Sequence, residues 1–338
     1  MRSLARQALR WESGLLLLLA LVLIVGQAST GELLSSYNLQ TTALNNIVLL
    51  FLALAVTPVI ITGDIDISIA GTLSLCGVFT ARLWTSGVEI WVAVLLALVL
   101  GAVCGLVNGI LVVAFDLPAL AVTLGTMGAY TGASFLILQG NAITNFPSAL
   151  VALGSGNLTG TPIPISVVVV AAVALGLTYV VHFTKNGKSL FAIGGSRRAA
   201  LFSGIPVNRV RVTSFVIAGL LSAVAAIFYL GNYDTAQAGI ASDQLLPAIT
   251  AVILGGVSAY GGTGTVPGVA VAAVLLAFLQ AALGLHGLSG EGQTIAVGIL
   301  LVVAIGGGEG IRAIGAARRR STMARTLQPE AARPTGGS

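Results

Sequence analysis

The stretch Ile61–Gly71, ITGDIDISIAG, sets Asp64 and Asp66 between two runs that hold almost no polarity. Upstream lies IVLLFLALAVTPVI (47–60) and downstream TLSLCGVF (72–79). A charge at the centre of a bilayer costs at least ~2.5–3.5 kcal/mol, so neither carboxylate is expected to face lipid. Gly63 and the two acids therefore read as a break between two apolar spans, with the acids at a boundary or in a packed interior.

Composition sets the context for that break. The chain has 338 residues, 56% of them hydrophobic and 8% charged, and its mean hydropathy is +1.01. A soluble domain carries about a quarter charged residues. Runs of roughly 20 apolar residues, enough to cross ~30 Å of hydrocarbon, recur along the chain. They are continuous rather than alternating, which excludes a membrane β-barrel. The expected fold is all-α and polytopic, with about ten transmembrane helices near 13–28, 42–62, 66–84, 88–115, 119–138, 164–182, 209–230, 245–260, 265–285 and 292–311. The first run resembles a secretory signal (Arg2, Arg6 and Arg10, then LLLLLALVLIV, then GQA), but nine further runs favour an uncleaved first span. Residues 1–312 form one transmembrane domain. Residues 313–338, rich in Arg, Pro, Gly and Ser, form a basic tail expected to be disordered in the cytoplasm.

Charge gives the orientation. Arg2, Arg6 and Arg10 open the chain, and Arg312, Arg318, Arg319, Arg320, Arg325 and Arg333 close it. Lys185, Lys188, Arg197, Arg198, Arg209 and Arg211 fall in the 183–211 connection. On a ten-span reading all of these share one face, and only Arg82 lies opposite. The positive-inside rule makes that face cytoplasmic, with both termini inside. The uncharged, turn-rich connection 139–163 is expected outside.

No reactive constellation is visible. His182 and His286 are far apart in sequence and no HExxH motif occurs. Gly187-Lys-Ser189 resembles the end of a phosphate loop, yet His182 stands where the leading Gly is required. Cys76 and Cys104 sit in apolar runs and read as buried small side chains. The expectation is a transport protein and not an enzyme, with no cofactor and no metal. Any ATP hydrolysis then belongs to another polypeptide.

The 183–211 connection contains GGSRRAALFSGIP (194–206), which has the punctuation of a short helix. Ser196 suits the N-cap, Gly204 the left-handed turn after the helix, and Pro206 prevents continuation. Two turns of helix are not stable alone and need a surface. Arg197, Arg198, Ala199, Ala200, Phe202, Ser203 and Gly204 would supply the contacts. A partner protein and the lipid headgroup layer both satisfy that requirement.

GGSRRAALFSGIPVNRVRVTSFVIAGLLSAVAAI resembles the cytoplasmic coupling region of permease subunits in ABC importers of the ribose, xylose and arabinose family. TGDIDISIAG is similar to that family's Gly-Gly-Ile-Asp-Leu-Ser-Val-Gly. NGILVVAFDLPALAVTLGTM (108–127) and AVILGGVSAYGGTGTVPG (251–268) are similar to two further family motifs, in the same order. The resemblance implies the inner-membrane permease of an ATP-driven importer moving a neutral, sugar-like solute inward. It also implies a cytoplasmic ABC ATPase, a periplasmic or lipid-anchored solute-binding protein and a second permease subunit as partners, with 194–206 as the coupling helix. Asn45, Asp66, Ser68, Asn108, Thr123 and Thr126 become candidates for the translocation path or gate. The alternative is an ion-coupled carrier or channel that needs no ATPase, with Asp64 or Asp66 as its ion site.

Three departures stand out. Asp64 replaces the second Gly of the first motif, Ala70 replaces its last Gly, and Arg197 and Arg198 stand where the coupling helix carries Glu. These departures point to the rhamnose or autoinducer-2 branch. Because the family's acid falls at Asp66, Asp66→Asn is expected to be more harmful than Asp64→Asn.

Overall fold

The computed structural model describes residues 2–240 and 242–303, and for 2–10 it gives the backbone alone. The expected tail, 313–338, lies outside the described residues. Helices account for nearly all of the regular structure. Among the described residues, six of them are long and apolar enough to cross a membrane: Trp11–Thr30 within α1 (Arg2–Thr30), α5 (Ile90–Ala114), α6 (Ala119–Leu138), α8 (Ile165–Phe183), α11 (Val207–Tyr233) and α13 (Val266–Leu285).

The expected span at 42–62 is two helices, α2 (Ser36–Asn45) and α3 (Ile47–Ile61), which meet at a 44° bend. The bend has a local cause. Asn46 turns its amide back onto the Thr42 carbonyl, and Asn232 of α11 donates to the Leu44 carbonyl that the bend exposes. Counted as one span, this pair makes seven. Two of the other expected spans are shorter helices: α4 (Ile69–Thr85) has 17 residues and α12 (Leu245–Leu254) has 10. In the span expected at 292–311, a helix α14 covers Gly290–Val303 and reaches the limit of the described residues. The expected 245–260 span stops at Leu254 because Gly255 caps α12 and Gly256 takes a left-handed φ of 89°.

The two polar connections are more ordered than their composition suggests. Within 139–163, β1 (Ile143–Thr144) pairs antiparallel with β2 (Thr235–Ala236), and α7 (Ser148–Ser155) packs on α11. Within 183–211 lie α9 (Lys185–Gly195), α10 (Arg197–Phe202) and the first turn of α11.

The core is built around α3 and α11. All of α3 but Leu50 is buried, so α3 reads as apolar on every side. α11 packs most extensively against α5, where Gly101, Gly105 and Gly109 recur every fourth residue. A Cβ at Gly105 would lie 2.1 Å from the Phe215 carbonyl oxygen. Small residues at this spacing let two backbones touch, which is how helices associate where lipid offers no hydrophobic contrast. Outward-facing Leu95, Val99 and Leu124 are exposed, as befits surfaces bathed in acyl chains.

α1 is integral to the bundle. Trp11 Nε1 donates to the Leu254 carbonyl (2.9 Å), Thr265 Oγ1 donates to Glu12 Oε1 (2.6 Å), and Ser29 meets His286 at the other end.

Candidate functional site

The site begins with how α3 stops. Gly63, at φ 82°, lets the chain reverse, with Gly63 N–H on the Ile60 carbonyl and Asp64 N–H on the Val59 carbonyl. This is the left-handed ending that only Gly adopts without strain. Residues 64–67 are then non-helical, and α4 starts at Ile69. Asp66 accepts twice on Oδ1, from Ser68 N–H (2.9 Å) and Ser68 Oγ (2.6 Å). Ser68 occupies the cap position of α4, and Asp66 closes a turn ahead of it.

Two other helices fasten this break. Asn108 of α5 donates Nδ2–H to Ser68 Oγ at 2.7 Å, and Thr123 of α6 donates to the Ile65 carbonyl at 3.2 Å. Asp66, Ser68, Asn108 and Thr123 are all buried. Asn108 Oδ1 finds no partner among the described residues.

Asp64 faces the other way. Arg211, in α11, clamps it through both carboxylate oxygens, Nε on Oδ2 at 2.8 Å and Nη2 on Oδ1 at 3.0 Å. Arg197, the first residue of α10, adds Nη2 on Oδ1 at 2.6 Å. Asp64 and Arg211 are buried, whereas the Arg197 side chain is 45% exposed. Two departures from the family pattern, Asp64 and Arg197, are thus partners of one another.

The turn between α12 and α13 completes the cluster. Gly262 N–H donates to the Ile61 carbonyl at 2.9 Å. Gly194 fits between them: a Cβ there would sit 2.0 Å from the Ile61 oxygen and 2.3 Å from Gly262 N. The four motifs read from the sequence therefore converge on residues 61–68.

At the opposite end of α3 the bundle opens. A cavity of about 420 Å³ is lined by Asn45, Asn46, Tyr233, Gln244, Gln280 and Gln293 among others. A second of about 340 Å³ shares Asn45, Tyr233 and Gln244 and adds Gln237 and Asp243. Carboxamides offer both donors and acceptors, so such a lining suits hydroxyl groups better than ions.

Residues 38–305 match the model of a family described as branched-chain amino acid transport system/permease component. The chain belongs to this permease family. The autoinducer 2 import system permease proteins LsrD of Escherichia coli strain K12 and of Shigella flexneri are each 36% identical over 304 residues, covering 88% of this chain and 91% of theirs. That of Escherichia coli strain SMS-3-5 is 35% identical over the same length. No solved structure matches. Of the two branches suggested by the departures in the sequence, rhamnose and autoinducer-2, these relatives carry the name of the second.

Within this permease the residues singled out from sequence fall in three places. Asp66, Ser68, Asn108 and Thr123 form the fastening of the break. Thr126 turns its hydroxyl onto carbonyls of its own helix. Asn45 lines the cavities, about 20–25 Å away at 1.5 Å per helical residue.

α10 is capped as its sequence dictates, with Ser196 Oγ accepting from Ala199 N–H and Gly204 at φ 76°. The Ser203 hydroxyl turns back onto the Ala199 carbonyl. Ala200 is buried against Ile193 and Val207, while Arg198, Ala199, Leu201 and Phe202 point outward, Phe202 being 89% exposed.

Sequence reasoning gave no special role to Arg211, Gly194, Gln244 or Gln280. Arg211 had been read only as one more positive charge of a loop.

Proposed function

We propose that this permease is the membrane subunit of an ATP-driven importer that carries a neutral, hydroxylated solute of the sugar or autoinducer-2 kind into the cytoplasm of a bacterium. The observation that carries this reading is α10. It is a six-residue helix outside the apolar bundle, held inward by Ala200 and Arg197 and presenting Leu201 and Phe202 outward. A partner with an apolar groove would cover those side chains, and an ABC ATPase is the partner this role calls for.

The chain direction supports ten crossings. Traced from α1, with α2 and α3 taken as one, consecutive long segments alternate between the end holding residues 61–68 and the end holding the cavities. The shorter α4, α12 and α14 fit the same alternation. The described Lys and Arg residues of 185–211 then share the 61–68 end, which we take as cytoplasmic. The cavities open on the outer side, where a solute-binding protein would deliver its cargo, and a second permease subunit would complete the pathway.

An ion-coupled carrier would need an acid free to bind its ion. Asp64 is engaged by two arginines and Asp66 by Ser68. Reconstitution in proteoliposomes separates the two readings. Uptake should require the ATPase partner and internal ATP. Uptake driven by a proton or sodium gradient with no ATPase present would overturn the importer reading.

A further inference from the structure

Asp64 has more counter-charge than its burial requires. The bidentate bond from Arg211 already neutralises the carboxylate and satisfies both oxygens. Bidentate Arg–carboxylate pairs are the strong, directional form of this interaction. Arg197 is therefore surplus to the solvation of Asp64, and its side chain stands half in solvent. What Arg197 adds is mechanical. It is the first residue of α10, and its bond to Oδ1 joins that helix to the segment carrying Asp66 and Ser68.

The other attachments of α10 are modest: Ala200 against Ile193 and Val207, and the peptide link through Ser196 to α9. A helix of six residues has no independent stability. Its position is set by whatever holds its ends, and the Arg197–Asp64 bond holds the first of them.

We propose that the Arg197–Asp64 ion pair is a tie rod. It makes the 61–68 break follow α10, so that a displacement imposed on α10 reaches Asn108 of α5 and Thr123 of α6 through the hydrogen bonds that fasten the break. Arg211 is the fixed anchor of the same carboxylate, and Arg197 is a positioning residue. The transmission half of this proposal rests on the importer reading above, and the tie itself does not.

The test uses Arg197→Gln, which shortens the side chain and removes the charge, and Arg197→Lys, which keeps it. Both leave the buried Asp64–Arg211 pair intact, so both should reach the membrane and melt as the wild type does. Amide exchange over residues 197–204 should speed up about fivefold or more in Arg197→Gln and much less in Arg197→Lys. In the assembled transporter, with its ATPase and binding protein, Arg197→Gln should import about fivefold less solute per ATP hydrolysed, with Arg197→Lys restoring most of the ratio.

Unchanged exchange in Arg197→Gln would refute the tie under any function of the chain. Faster exchange with an unchanged solute-to-ATP ratio would refute the transmission. A wild-type chain that transports without an ATPase would instead refute the importer reading, and with it the transmission, while the exchange result still decides the tie.

Discussion

Arg211 holds Asp64 by both carboxylate oxygens across 147 residues of sequence, in a place where both side chains are buried. Removing one member of such a pair leaves the other charge buried without compensation, which costs about 3–5 kcal/mol. Asp64→Asn should therefore lower the melting temperature in detergent and reduce the amount of permease in the membrane. Asn at position 66 keeps an oxygen that can accept both bonds from Ser68, so Asp66→Asn should melt close to the wild type. For stability this reverses the order expected from the family motif. An Asp64→Asn protein as stable as the wild type would refute the account of the buried pair.

Gly194 and Gly195 are adjacent and differ in what surrounds them. A methyl at 194 collides with two backbones, and at 195 it meets nothing within 4 Å. Gly194→Ala should destabilise by about 1–3 kcal/mol, the usual cost of overpacking. Gly195→Ala should be neutral or slightly stabilising. Thermal melts of the two variants side by side check this, and equal melts would contradict the close approach of 194 to Ile61 and Gly262.

Phe202 touches little of its own chain. Phe202→Ala should leave folding and membrane levels unchanged, because an exposed side chain loses almost no burial on truncation. It should instead weaken copurification of the ATPase and depress stimulated ATP hydrolysis and uptake together. Full activity in Phe202→Ala would show that the outward face of α10 is no docking surface.

Asn45 and Gln280 contribute carboxamides to the larger cavity. A neutral hydrogen bond is worth about 0.5–1.5 kcal/mol, so Asn45→Leu or Gln280→Leu should reduce uptake roughly two- to tenfold. Assembly with the ATPase should not change. Initial uptake rates at saturating binding protein provide the measurement, and two wild-type rates would remove the cavity from the solute's route.

Sidedness is open to direct labelling. In intact cells Arg198→Cys should resist a membrane-impermeant thiol reagent until the membrane is opened, while Thr159→Cys should react at once. Both side chains are exposed on the protein, and the native Cys76 and Cys104 are buried and should stay silent. Reaction at 198 from outside would invert the topology.

The parts of this molecule that were legible in its sequence are local ones. α10 is announced by Ser196, Gly204 and Pro206, because caps act within a turn. The break after α3 is announced by Gly63 and two acids within a few residues. The partners of Asp64 were not legible, since Arg197 and Arg211 lie 133 and 147 positions away and no periodicity links them. Span ends were displaced for a related reason. Hydropathy runs straight through Asn46 and through Gly255–Gly256, whereas the backbone bends at the one and reverses at the other. The cavity is not legible because Gln244, Gln280 and Gln293 lie in separate stretches, the first and last at the polar ends of apolar runs, and only folding gathers them.

Trp11 and Glu12 bond to Leu254 and Thr265, partners 243 and 253 positions further along the chain. At a synthesis rate of about 5–20 residues per second, on the order of 10–50 s separates the emergence of the first helix from that of its partners. During that interval the Glu12 carboxylate and the Trp11 indole must be accommodated by headgroups, water or the insertion machinery. This corner can close only after Thr265 has left the ribosome. α1 is thus made long before it is locked, and a chain stalled before residue 254 would leave the Trp11 indole without the Leu254 carbonyl and the Glu12 carboxylate without Thr265.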